Sequence, residues 1–199
     1  RLEYRAKDGD DVWLWDVQAW LGPDFHKLYV ESEGEKPDGH DVEAAQIEAL
    51  YARAFSPFWD WRAGVRYDPE PAPERAFGVV GIQGLAPQWF EIELNAYVSE
   101  DGDFSAGLEA EYDILLSQRL VLQPRLETEI AAQDVAEYGI GSGFTGWETG
   151  LRLRYEISRK FAPYIGLSWE QALGETANIA AAEGESTEDL ALVGGVRVW

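Results

Sequence analysis

Residues 58 to 67 read Phe-Trp-Asp-Trp-Arg-Ala-Gly-Val-Arg-Tyr, large apolar side chains alternating with charged or small ones, and the same two-residue period runs along almost the whole chain. Neighbouring side chains of a strand point to opposite faces. Trp59, Trp61, Ala63, Val65 and Tyr67 therefore share one surface, and Asp60, Arg62, Gly64 and Arg66 share the other. A half-buried antiparallel sheet alternates too. Here the alternation recurs in many long segments, charges fill one face, and Trp and Tyr gather near the segment ends. Together these traits predict an all-β fold, a transmembrane antiparallel up-and-down β-barrel with a lipid-facing outside and a wet, charged lumen.

The pattern predicts twelve strands, at about 1–7, 11–20, 25–34, 43–55, 58–67, 76–86, 88–99, 103–115, 118–131, 143–157, 160–173 and 188–199. Five links are tight: Leu21 to Asp24, Ser56-Pro57, Ala86-Pro87, Leu116-Ser117 and Ser158-Arg159. Gly34 to Asp41, Asp68 to Arg75, Ala132 to Ser142 and Gly174 to Thr187 are longer and polar. Short periplasmic turns, longer outer loops, an even strand number and both termini inside are the habits of bacterial barrels. The links Asp8 to Asp11 and Asp101 to Asp103 are short for outer loops.

Following the phase sorts the faces. Phe90, Ile92, Leu94, Ala96 and Val98 oppose Glu91, Glu93, Asn95 and Tyr97; Ala106, Leu108, Ala110, Tyr112 and Ile114 oppose Ser105, Glu109, Glu111 and Asp113. Leu120, Leu122, Leu126 and Ile130 oppose Gln123, Arg125, Glu127 and Glu129; Trp147, Thr149, Leu151, Leu153 and Tyr155 oppose Glu148, Arg152, Arg154 and Glu156. In segment 43–55, Gln46 and Glu48 lie on the opposite face from Arg53, which suggests a bulge. Pro124 removes a ladder donor inside a strand, so a local bend is expected there. Leu190, Leu192, Val196 and Val198 point outward with Asp189 and Arg197 inward, leaving Trp199 on the lumen phase. Barrels of this kind commonly end on an outward aromatic, so the natural chain is expected to continue by at least one residue.

Composition narrows the picture. The 199 residues are read as a single barrel domain, 1–199. No apolar run approaches the roughly 20 residues of a spanning helix, and a mean hydropathy of -0.30 is compatible with a barrel because only alternate residues meet lipid. No signal peptide is visible and the first residue is Arg, the pattern of a mature or trimmed chain. The absence of Cys argues against thiolate sites and cysteine nucleophiles. A net charge of -21 disfavours nucleic acid, whose binding needs basic patches, and favours cations.

Several motifs carry a resemblance: Ser56-Pro57-Phe58-Trp59-Asp60, Ala63-Gly64-Val65-Arg66-Tyr67-Asp68, Gln83-Gly84-Leu85-Ala86-Pro87, Leu108-Glu109-Ala110-Glu111-Tyr112-Asp113, Gln123-Pro124-Arg125-Leu126-Glu127 and Arg152-Leu153-Arg154-Tyr155-Glu156. Over essentially its whole length the chain resembles the copper resistance protein B family. The resemblance implies an outer-membrane protein of Gram-negative bacteria, encoded with a periplasmic multicopper oxidase and handling copper ions at the outer membrane. Family members commonly carry a Met- and His-rich segment before the barrel, whose thioethers and imidazoles suit copper. This chain contains no Met, so the family's metal residues cannot be carried over.

Two imidazoles remain. His40 lies in a loop beside Asp38 and Asp41, a mixed nitrogen and oxygen set suited to Cu(II), with an ordinary exposed loop histidine as the alternative. His26 shares the outward phase of Leu28 and Val30 near a tight turn with Asp24, which suits the interface more than a metal site. The lumen holds the stronger candidates. Glu31, Glu33, Asp60, Glu91, Glu93, Glu109, Glu111, Asp113, Glu127, Glu129, Glu148, Glu156 and Glu170 should point inward against Lys27, Arg62, Arg66, Arg125, Arg152, Arg154 and Arg197. Charged rings select ions by sign, so a cation-attracting lumen is one reading; an ion-pair network plugging a narrow barrel is the other.

Three motifs are set aside. Gly141-Ser142-Gly143-Phe144-Thr145-Gly146 leads into a strand and not a helix, so it is a poor dinucleotide loop. Carboxylate pairs of glycosidase type arise wherever acids line a barrel. Asp8-Gly9-Asp10-Asp11 and Asp101-Gly102-Asp103 lack the rest of a calcium loop. The sequence therefore points to copper binding or transport through the lumen, with copper as transported and not structural ion. The alternatives are a structural barrel docking a periplasmic multicopper oxidase and an outer-membrane hydrolase, for which His40 would be the sole candidate base in the outer half. No catalytic residues are expected.

Overall fold

The computed structural model describes residues 1–7 and 11–199, so the Asp8 to Asp11 link and most of its calcium-like motif lie outside the described residues. It comprises β1 (Leu2–Ala6), β2 (Val12–Leu21), β3 (His26–Pro37), β4 (Ala44–Ser56), β5 (Trp59–Glu70), β6 (Arg75–Ala86), β7 (Phe90–Ser99), β8 (Phe104–Glu111) and β9 (Ile114–Leu115). β10 (Leu120–Ala131), β11 (Gly143–Tyr155), β12 (Phe161–Ala172), a helix α1 (Gly174–Glu183) and β13 (Glu188–Val198) complete the chain. Every neighbouring pair is antiparallel, β13 pairs with β1, and β10 pairs with both β8 and β11. The sheet closes on itself. Closure leaves the sheet without a free edge, the condition for strands to cross lipid.

β8 and β9 together make one stave, so the barrel has the twelve strands the sequence predicts. The break at Tyr112-Asp113 faces Pro124, which has no amide hydrogen to donate. β10 pairs with β9 through Val121 and Leu122 and with β8 from Arg125 onward, leaving the proline between the two stretches. The bulge suspected near residues 43–55 is present as register shifts at Ala45/Ile47 and Ala54/Ser56 against β5.

Side-chain alternation matches the two environments. Val17, Val65, Val80, Ile165 and Leu192 are exposed on the outside. Exposed aromatics form two girdles: Trp20, Phe25, Phe55, Phe58, Trp89 and Phe161 by the tight turns, and Trp13, Tyr67, Phe104, Phe144 and Trp147 at the other end. Such belts mark the two lipid–water interfaces. Inside, Gly64 has its would-be Cβ only 2.0 Å from the Ala49 carbonyl oxygen, so only a glycine lets β5 lie this close to β4.

The loop-bearing rim differs from expectation in three places. β3 runs on to Pro37, and β5 and β6 extend until Glu70 and Arg75, because cross-strand pairing continues through Val12–Pro37 and Asp68–Arg75. The link between β5 and β6 is thus four residues. The segment 174–187, expected as irregular loop, contains α1, whose Thr-Ala-Asn-Ile-Ala-Ala-Ala-Glu run is rich in the best helix former. Gly184 ends it at φ 84°, as a left-handed C-terminal residue should. Thr176 Oγ1 accepts from the Gly141 amide at 2.9 Å, tying α1 to the 132–142 loop. That loop also reaches 71–74: Tyr138 donates to the Pro73 carbonyl at 3.1 Å and stacks on Arg75. Within it, hydrogen bonds from Ser142 hold the Asp134 carboxylate below its ordinary pKa.

Candidate functional site

The lumen divides into a filled side and an open side. On the filled side, β1 and β11–β12 meet in a knot of buried charge. Glu3, 0 % exposed, accepts from Arg152 Nε at 2.7 Å, Arg5 Nε at 2.9 Å and the Tyr164 hydroxyl at 2.9 Å. Arg5 also reaches Glu148 at 2.9 Å, and Ser168 donates to the same carboxylate at 2.7 Å. Buried ions persist only when paired and hydrogen-bonded in this way. Nearer the tight turns, Arg154 pairs with Asp113 at 2.7 Å and Glu156 at 3.6 Å, and Trp199 lies under Arg154 and Arg197. Trp199 is therefore on the lumen side, as its phase requires.

Four arginines organise the rest of the lumen wall. Arg62, 1 % exposed, bonds Glu31 at 3.2 Å, Gln83 at 2.9 Å, Asn95 at 3.2 Å and the Glu93 carboxylate. Arg125 contacts Glu109 at 2.7 Å, Glu127 at 2.9 Å and Glu111 at 3.5 Å. Arg66 gives both Nε and Nη2 to Asp68, at 2.7 and 2.9 Å, and its guanidinium lies over Tyr97 and Phe77. Arg197 approaches Glu111 at 3.6 Å.

Between these walls is a chamber of about 1150 Å³ lined by β2–β8, β10 and the end of β13. Its lining includes Asp24, Phe25, Pro57, Phe58 and Trp199, so it opens at the tight-turn rim. Twelve acidic side chains face it against five basic ones, Arg1, Lys27, Arg66, Arg125 and Arg197. Asp60, Glu91, Glu93, Glu109, Glu111, Glu127 and Glu129 are among those acids, together with Glu31 and Glu33. Asp113, Glu148 and Glu156 lie instead in the ion-pair networks.

Glu48 belongs to the same chamber. It is 5 % exposed, and its Oε2 is the sole carboxylate oxygen among the described residues that is buried without a hydrogen-bond partner. Across the ladder it faces Glu31 on one side and Arg66 on the other, but Arg66 is committed to Asp68. Alternation places Glu48 inward once the bulges are known. Glu3 and Arg5 escaped the sequence reading because β1 is short; the signal was their alternation with Leu2 and Tyr4.

The histidines stand apart from the lumen. His40 Nδ1 lies 3.1 Å from the Asp38 carbonyl, and among the described residues no three His, Asp or Glu side chains converge as metal ligands. His40, Asp38 and Asp41 are thus not brought into one ligand set. His26 is exposed on the outer face, stacked on Tyr51 and hydrogen-bonded to its hydroxyl, with Tyr51 edge-on to Trp61.

A family model described as "Copper resistance protein B precursor (CopB)" matches residues 1–199. Copper resistance protein B of Escherichia coli is 44% identical over 199 residues, and the Copper resistance protein B homolog of Pseudomonas syringae pv. tomato (strain ATCC BAA-871 / DC3000) is 38% identical. The whole chain is covered in both cases, and it spans 67% of each relative. Among solved structures, a NanC porin superposes with a TM-score of 0.65 at 13% identity, covering all of both chains. A KdgM porin gives 0.61 at 12% identity, covering all of this chain and 97% of its own. At such identities the porins bear on the fold alone. Closed barrel, apolar belt and aromatic girdles together make this an outer-membrane β-barrel.

Proposed function

The chain belongs to the copper resistance protein B family, and on that premise we propose that copper cations enter the acidic chamber and cross the outer membrane through it. The observation that carries this reading is the excess of twelve acids over five bases in an open chamber. Sign selection in pores comes from such charge. A chamber of about 1150 Å³ holds several tens of water molecules, so a copper ion can enter with its hydration shell. The carboxylates are spread along the wall and do not converge, which favours weak, exchangeable contacts. Conduction needs binding strong enough to enter and weak enough to leave. The role is binding and transport, with no catalytic step.

The filled side favours a second reading, a structural barrel that docks a periplasmic multicopper oxidase and conducts nothing. Copper uptake by proteoliposomes separates the two. Replacing Glu91, Glu93, Glu109 and Glu111 with Gln is expected to lower uptake several-fold while the barrel still folds; unchanged uptake would show that the acidic wall is not the mechanism.

A further inference from the structure

The cross-strand register arranges part of the acidic wall as a continuous row. Glu93 lies directly opposite Glu109, Glu109 opposite Glu127, and Glu127 opposite Glu148. The row continues from Glu148 to Glu170 and from Glu170 to Asp189. In the other direction Gln83 opposes Glu93, and Asp60 opposes Gln83. Asp60 is the second residue of β5 at the tight-turn rim, and Asp189 the second of β13 at the loop rim. Barrel strands tilt by about 35–45° and lie about 4.8 Å apart, so the steps from β5 to β13 climb about 20 Å along the axis. That is most of the apolar band of such a barrel, about 25 Å tall.

Like charges directly opposite one another destabilise a sheet. Each acid of the row has a cationic neighbour, but these are shared: Arg125 serves Glu109, Glu127 and Glu148, and Lys7 serves both Glu170 and Asp189, with Lys27 beside Asp60 and Arg62 beside Glu93. A second observation points to a positively charged visitor: the buried, unpartnered Oε2 of Glu48 faces the chamber that the lower part of the row lines. Beside the row, Gly107 and Gly146 occupy lumen positions and leave the wall without side chains next to Glu109 and Glu148.

The chamber accompanies the row from Asp60 to Glu127 and stops there. The next step, Glu148, is held by Arg5 at 2.9 Å and Ser168 at 2.7 Å, with Arg152 at 3.7 Å. Beyond it, Glu170 and Asp189 are again accessible, with Lys7 at 4.0 and 3.7 Å. Resting on the cation-passage reading above, we propose that this row is the path of hydrated cations from rim to rim, and that the Arg5–Glu148 contact is its constriction.

The chain has no Cys, so single cysteines report without background. E109C and E148C are each reacted, in the purified folded barrel, with a trimethylammonium methanethiosulfonate and with its sulfonate counterpart. With each rate divided by that of the same reagent with a small free thiol, E109C is expected to favour the cationic reagent at least tenfold. E148C is expected to react at least tenfold more slowly than E109C, since Arg5 keeps its bond to Glu3 when residue 148 changes. Adding R5Q is expected to accelerate E148C and leave E109C as it was. Equal normalised rates with both reagents at E109C would overturn the path, and equal rates at E109C and E148C would overturn the constriction. Should R5Q fail to fold, the comparison of the two single-cysteine chains still decides. Copper uptake by the unmodified barrel is read separately: its absence would refute copper passage, whereas uptake with the wrong labelling pattern would refute only this route.

Discussion

Arg62 shows how one side chain sets its surroundings. Its guanidinium satisfies Glu31, Gln83, Glu93 and Asn95 at once, from three strands, β3, β6 and β7. Replacing it with Met leaves two carboxylates facing each other without a counter-ion, a loss of about 3–5 kcal/mol for a broken buried pair. Urea unfolding in lipid vesicles should show R62M destabilised by that order, and a change under about 1 kcal/mol would mean that water already screens the cluster. At this scale the sequence was informative about direction and silent about partners. Phase put Arg62, Glu93 and Glu109 inward. It could not say that Arg66 would choose Asp68, two residues along its own strand, and leave Glu48 unmatched. That choice depends on Tyr97 and Phe77, whose rings hold the guanidinium in place.

Among the elements, the strands were legible because lipid and lumen impose opposite demands on alternate residues. The chief departure was α1. Its helix buries no residue and is weakly amphipathic, so no apolar period announced it; Ala-rich composition was the only signal. Its attachment runs through Thr176 and Gly141. T176V should therefore free α1 and the 132–142 loop without disturbing the wall. Limited proteolysis is expected to cut the variant faster within 132–142 or 174–187, at an unaltered urea midpoint. Equal cutting would show that the tether contributes nothing to loop order. The break between β8 and β9 was foreshadowed by Pro124, but its place on the partner strand required the register, since a missing donor is felt by the strand it would have bonded.

For the molecule as a whole, the closed twelve-strand wall was readable from the two-residue period. The division of the lumen was not. Which side fills depends on the reach of Arg5 and Arg152 to Glu3 and Glu148, long-range contacts between the first strand and β11. The result is a barrel blocked along one side by its own ion pairs and open along the other with acid in excess. Fields from such a wall are screened over about 8 Å at physiological ionic strength and about 3 Å at 1 M, so cation preference should be strong in dilute salt and fade as salt rises. The most direct test is the reversal potential of the purified barrel in a planar bilayer under a salt gradient. The account predicts a potential of the sign set by cation flow at low ionic strength, shrinking toward zero in concentrated salt and when Glu93, Glu109 and Glu127 are changed to Gln. A potential of anion sign, or a barrel that passes no current at all, would contradict it.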